Sequence, residues 1–251
     1  MVNRSGTAKW KRAGPRFFAV QSEPSLSALH WIGSIAAWVT VALIPVQLIA
    51  FAIQPVELGE DAAGWFDFIR DDPWIAFVAL DGLLVIDYML LAAVMAALVA
   101  ATWRVRPVWA LLGIVTFAVA APAFFASNPA AEMFELQGRY EDGNATQQAS
   151  AVQSAETLLV QSQGTAFHAS YILGSFAGVF VSLAMLASPS FGRLGAWSGI
   201  VGNLLGFGLY VPKVGLVISA LSGLVLVLWF VFVGRDLLSM ARARPEHARS
   251  R

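Results

Sequence analysis

Two carboxylates interrupt an apolar stretch of this sequence. Residues 75–103 carry Asp81 and Asp87 among leucines, valines and alanines. An ionisable side chain at the centre of a membrane helix costs about 3 kcal/mol on insertion scales, so it asks for a reason. At about 1.5 Å per residue, Asp81 is expected roughly 9 Å and Asp87 roughly 18 Å below the outer end of such a helix. Six residues apart, they point about 120° away from each other and do not form a carboxylate pair. Tyr88, seven residues after Asp81, shares its face.

Groups that can meet these acids come from the second half. His168 and Tyr171 are expected near the outer end of one apolar block, Tyr210 and Lys213 near the outer ends of the next two. Together with Asp81 they define a candidate polar pocket in the outer half, able to take a proton, a cation or a small polar ligand. A plainer reading makes Asp81 a structural acid paired with Lys213, since an unpaired buried charge is costly. Asn203 is expected at the depth of Asp87, as its hydrogen-bond partner. His30, at an inner helix end, needs no special role.

Other chemistries find little support. The chain has no cysteine, which removes disulfides, thiol nucleophiles and thiolate metal sites. The histidines show no metal-ligand spacing, so no metal is expected. Ser170 and His168 are two apart and do not face each other on a helix. No glycine-rich phosphate loop occurs, and nothing points to a cofactor. Net charge is zero, without the basic footprint of a nucleic-acid binder. Glu132 and Glu135 are expected on a solvated face.

The elements that must hold these groups follow from apolar length. Of 251 residues, 58% are apolar and 13% charged, against a usual charged share of roughly a quarter. The fold class expected is all-α: a polytopic membrane protein with spans at about 29–53, 75–103, 107–126, 165–187, 194–211 and 214–234. Each is long enough, or nearly so, for a hydrocarbon core of roughly 30 Å. A basic arm (1–28) precedes this membrane domain (29–234) and a basic tail (235–251) follows it. The first span is expected to direct its own insertion.

The first loop is acidic. Trp65, Phe68 and Ile69 recur there at helical spacing, which predicts a short amphipathic helix in the outer interface. The third loop predicts two more. One starts at Asn128-Pro129 and carries Met133, Leu136 and Tyr140. The other starts at Asn144 with Ala145, Ala149, Val152 and Leu159 on one face. With six spans, thirteen Lys and Arg fall on one side and only Arg70, Arg139 and Lys213 on the other. The basic side is the cytoplasmic one, so both termini are expected inside.

Small residues set the expected packing. Ser170, Gly174, Gly178 and Ser182 repeat every four residues on the fourth span. Ser198, Gly202 and Gly206 do so on the fifth, with Gly195 and Gly199 beside them, and Gly215, Ser219 and Gly223 on the sixth. Such ridges let membrane helices approach closely. The same ridges can join copies of the chain in a homo-oligomer.

The runs GTAFHASYIL (164–173), AMLASPSFGR (184–193) and AWSGIVGNLLGFGLYVPKVG (196–215) resemble a bacterial multi-pass family catalogued as domain of unknown function 4386. The resemblance covers roughly residues 128–234. It implies an all-helical protein of the bacterial inner (plasma) membrane and implies no activity. Lys213 falls where that family is expected to carry a less polar residue, which would make an Asp81–Lys213 pair particular to this chain.

The leading expectation is a lipid-embedded protein that handles a small solute or ion, its ligand unidentified, or serves as a membrane scaffold. The alternatives are a membrane enzyme with an outer-face pocket, or a sensory or interaction protein using its acidic outer surface.

Overall fold

The computed structural model describes residues 24–53 and 61–243. Most of the basic arm, the acidic stretch with Glu57 and Glu60, and the tail beyond Ala243 lie outside the described residues. All regular structure among the described residues is helical: α1 (Pro24–Ile53), α2 (Ala62–Asp71), α3 (Pro73–Ala79), α4 (Gly82–Thr102), α5 (Pro107–Ser127), α6 (Ala130–Asp142), α7 (Ala145–Ser162), α8 (Thr165–Leu186), α9 (Arg193–Gly206), a 3-10 turn (Phe207–Tyr210) and α10 (Gly215–Arg242).

Five stretches, carried by α1, α4, α5, α8 and α10, are long and apolar enough to cross a membrane. The expected span at 194–211 is the 14-residue α9 continued by the 3-10 turn, and α9 is not among those five. Gly206 and Gly208 weaken the helix here, and Pro212 cannot continue it.

The expected span at 75–103 is broken in two. Pro73 opens α3 at a position where its missing N–H costs nothing. Asp81 then takes left-handed backbone angles, φ 60° and ψ 23°, and α4 starts afresh at Gly82. The Asn128 side-chain amide donates to the Leu80 and Asp81 carbonyls at 3.3 and 3.0 Å, which fixes the break. A side chain at Gly82 would collide with the Phe77 ring, so glycine lets α3 fold back on α4.

These five helices and α9 form a ring. α1 lies against α10 and α4, α5 against α4 and α8, and α9 between α8 and α10. One end of the ring is solid: Val94, Leu98, Val181, Met185, Val233 and Leu237 are all buried there. The apolar period of α10 continues through Val233, Leu237 and Ala241, all buried. The last helix therefore runs to Arg242 rather than ending at 234. Its end is tied to the start of α1 by the Ser27 hydroxyl donating to the Ala241 carbonyl at 3.0 Å.

At the other end α2, α3, α6 and α7 build a small core of their own from Trp65, Phe66, Ile69, Met133, Ala155 and Leu159. The apolar face of α2 is thus covered by α6 and α7, not left for the interface. Asn144 caps α7, accepting from the Thr146 and Gln147 backbones, while the Gln147 side chain accepts from the Asn144 N–H. The buried face of α7 is Ala151, Ala155 and Leu159; Ala145 and Ala149, expected on it, are exposed. Alanine is too small to mark a face by itself.

Large apolar side chains are exposed around the ring, among them Ile32, Ile35, Ile49, Met89, Val115, Val119, Leu194, Val217 and Leu228. A belt of this extent suits lipid, not water.

Candidate functional site

Between the solid end and the cap, the ring holds a half-open cavity of about 310 Å³. Thr40, Ile44 and Gln47 reach it from one face of α1, since residues four and seven apart stack on a helix. α4 adds Asp87 and Tyr88, α8 adds Tyr171, Gly174 and Gly178, α9 adds Asn203, and α10 adds Ser219, Ser222 and Gly223. Met95, Phe117, Trp229 and Phe230 line it as well.

Among the described residues Asp87 is the one carboxylic acid on this wall, with 7% of its surface exposed. The Gln47 amide donates to its Oδ2. Its Oδ1 has no hydrogen-bond partner among the described residues. The Thr40 hydroxyl lies beside the carboxylate, short of hydrogen-bonding geometry. No Lys, Arg or His lines the cavity among the described residues. The site is therefore a buried acid held by one neutral donor, its second oxygen without a hydrogen-bond partner among the described residues.

The break at Asp81 places Asp87 near the start of a helix. It sits five residues into α4, roughly 7.5 Å from the start of that helix. It bonds Gln47, not Asn203. The Asn203 amide instead donates to the Gly199 carbonyl at 2.7 Å within its own helix. Its side chain lies directly over Gly178, where any side chain would collide with it. Asn203 and Asp87 line the same cavity without bonding.

The outer-half candidates divide. His168 Nδ1 and the Tyr210 hydroxyl are 3.1 Å apart. The Tyr210 ring stands edge-on to Tyr171 with centroids 6.2 Å apart. The Tyr171 hydroxyl donates to the Gly206 carbonyl at 3.1 Å, which uses its one hydrogen, so Ser219 donates to it at 3.1 Å. These three residues lead from the exposed His168 to the cavity wall at Tyr171.

Asp81 and Lys213 are not part of this group. Asp81 stands at the α3–α4 turn, and the Asn128 contact is to its main-chain carbonyl. Lys213 is exposed in the turn before α10 with φ 70°. No ion pair joins them among the described residues. The Tyr88 ring stacks on Phe124, centroids 4.2 Å apart, and its hydroxyl lies toward Gly174.

The small residues serve several neighbours. Gly178 meets α9, and Gly199 sits where Ser182 and Trp229 converge. The Ser222 hydroxyl donates to the Gly202 carbonyl at 2.8 Å, joining α10 to α9. Ser170 is buried and Ser198 bonds its own helix at the Gly195 carbonyl, 2.8 Å away. Gly215 stands against the Leu209 carbonyl beyond the turn, while Gly174 and Gly223 open onto the cavity.

On the cap, Arg139 pairs with Glu135 on an exposed face, and Glu132 is exposed beside them. Hydrogen bonding to Asp71 and the charge of Asp67 hold the Arg70 guanidinium above its ordinary range. Among the described residues no group of three or more His, Asp or Glu converges as metal ligands would.

Reading acids alone misses Gln47 and Thr40. Gln47 is the sole amide in the 29–53 block, and Thr40 is seven residues before it. A lone amide and a hydroxyl on one face of an otherwise apolar helix was the available signal.

Fold and site together define, among the described residues, an all-helical bundle suited to a membrane, with a half-open, mostly carbon-walled cavity and one buried acid. Compared with protein-family models, curated proteins and solved structures, the chain matches none.

Proposed function

We propose that the protein handles a small solute or ion within the membrane, with Asp87 as the group that holds it. The observation that carries this reading is a buried carboxylate, Asp87, on the wall of a cavity that offers no basic side chain among the described residues, its Oδ1 without a hydrogen-bond partner. A buried acid kept only for stability is usually paired; this one keeps half its acceptor capacity open. The His168–Tyr210–Tyr171 cluster would be the mouth of the cavity.

The finer topology belongs to the same proposal. α9 with its 3-10 turn completes a sixth crossing, the end bearing Arg104, Arg106, Arg193 and Arg235 is cytoplasmic, and the membrane is a bacterial plasma membrane. The positive-inside bias and the resemblance of the second half to domain of unknown function 4386 support this placement.

The test is flux through phospholipid vesicles containing the purified chain, with protons, potassium and methylammonium each driven inward. The parent chain should carry at least one of them about tenfold faster than empty vesicles, and Asp87→Asn should abolish the difference. Absence of any flux, or an undiminished flux in Asp87→Asn, would contradict the reading.

A further inference from the structure

We propose that the solute is a small organic monocation: one protonated amine on an apolar body. This rests on the reading of the cavity as a solute site and specifies what enters it.

Charge comes first. A carboxylate in a low-dielectric wall needs a counter-charge, and the described lining holds none. Gln47 donates to Oδ2, and the buried Oδ1 has no donor among the described residues. One carboxylate without a counter-charge matches one ammonium.

The walls come second. A bare inorganic cation wants a shell of about six oxygens. Most of this lining is carbon, with the aromatic rings of Phe117, Trp229 and Phe230 beyond the acid. Ser222 and Tyr171 direct their hydrogens to the Gly202 and Gly206 carbonyls. Such a wall replaces the hydration of methylene groups rather than that of a metal ion, and its rings attract a cation.

Size comes third. The cavity, about 310 Å³, lies at the lower end of ligand pockets, roughly 300–1,000 Å³. It has room for one small body such as a benzyl group beside the carboxylate.

The test uses three matched probes on the purified full chain in detergent: benzylammonium, benzyl alcohol and benzoate. Benzylammonium at a hundredfold excess over its Kd should raise the Tm by about 5 °C or more, and the other two should not. Asp87→Asn should remove the shift. Gly174→Leu should remove it too while keeping the acid. A Cβ there meets only the Tyr88 hydroxyl at 3.5 Å, so the side chain has the cavity to fill. Equal shifts from benzyl alcohol, no shift from benzylammonium, or a shift retained in either variant would overturn the proposal; the three-probe comparison on the parent chain decides even where a variant does not fold. Flux of protons or potassium without benzylammonium binding would overturn the amine and leave solute handling standing. Asp87-dependent binding without any flux would do the reverse.

Discussion

Asp87 and Gln47 come from helices that meet only through the fold, forty positions apart in the chain. In a dry wall the loss of one partner is felt more than the loss of both. Gln47→Leu leaves Asp87 with no donor and should lower stability by about 1–3 kcal/mol. Gln47→Leu with Asp87→Leu should recover most of that loss, because nothing polar is then left unpaired. Unfolding in detergent of the two single variants and the double variant measures the coupling. Additive losses would mean that the two side chains do not act as a pair.

Asp81 shows why a residue's type is not enough to assign it. As an acid in an apolar block it is expected to be buried and paired. Its backbone tells otherwise: a left-handed residue at a helix junction, where aspartate is one of the few types tolerated. The role falls on its conformation, with its carbonyl bonded by Asn128. Asp81→Gly should raise stability by roughly 0.5–1 kcal/mol, and Asp81→Asn should leave it unchanged. Chemical unfolding in detergent separates these from the alternative. A loss of several kcal/mol in Asp81→Asn would point to an ion pair.

At the scale of elements, apolar length and small-residue spacing carried most of what was readable. The helices α1, α5, α8 and α10 stand close to the blocks expected for them. Asn144 with Gln147 spells a helix start that any reader can recognise, because a capping box is local chemistry. The break before α4 was not readable, because its cause is tertiary: an amide from the far end of α5 bonds two carbonyls of the turn. With the helix restarting at Gly82, Asp87 stands near its start and bonds Gln47 rather than Asn203. The extension of α10 past residue 234 was hidden for a different reason. Arg235, Asp236 and Arg242 read as a polar tail, while Leu237 and Ala241 between them keep the apolar face turned toward the bundle.

α2 illustrates the same limit. Trp65 and Ile69 at helical spacing announce an amphipathic helix but not what covers its face. Lipid and a second helix pair are equally good apolar solvents. Here α6 and α7 provide Met133, Ala155 and Leu159, and a small second core results. The candidate site was legible in part. His168, Tyr171 and Tyr210 do assemble, while Thr40 and Gln47 carry no charge to draw attention to them.

At the scale of the whole molecule the bundle is uneven. Packing is continuous toward the end with Arg104, Arg106, Arg193 and Arg235, and it opens into a cavity toward the capped end. A cavity lined by glycine, serine and aromatic side chains forgoes contacts that a filled core would have. That loss, together with a buried acid left half-paired, is the signature expected of a site rather than of a scaffold.

The most direct test of this account is the charge selectivity of the cavity in a membrane. The chain has no cysteine, so a single Ser219→Cys on the cavity wall is the one thiol present. Reconstituted in vesicles, it can be titrated with a cationic and an anionic methanethiosulfonate reagent, with exposed Ser150→Cys on the cap as reference. Relative to that reference, the account predicts that the cationic reagent modifies the wall thiol about tenfold faster, and that Asp87→Asn removes the preference. Equal rates for the two reagents in the parent background, or a preference that survives Asp87→Asn, would contradict it.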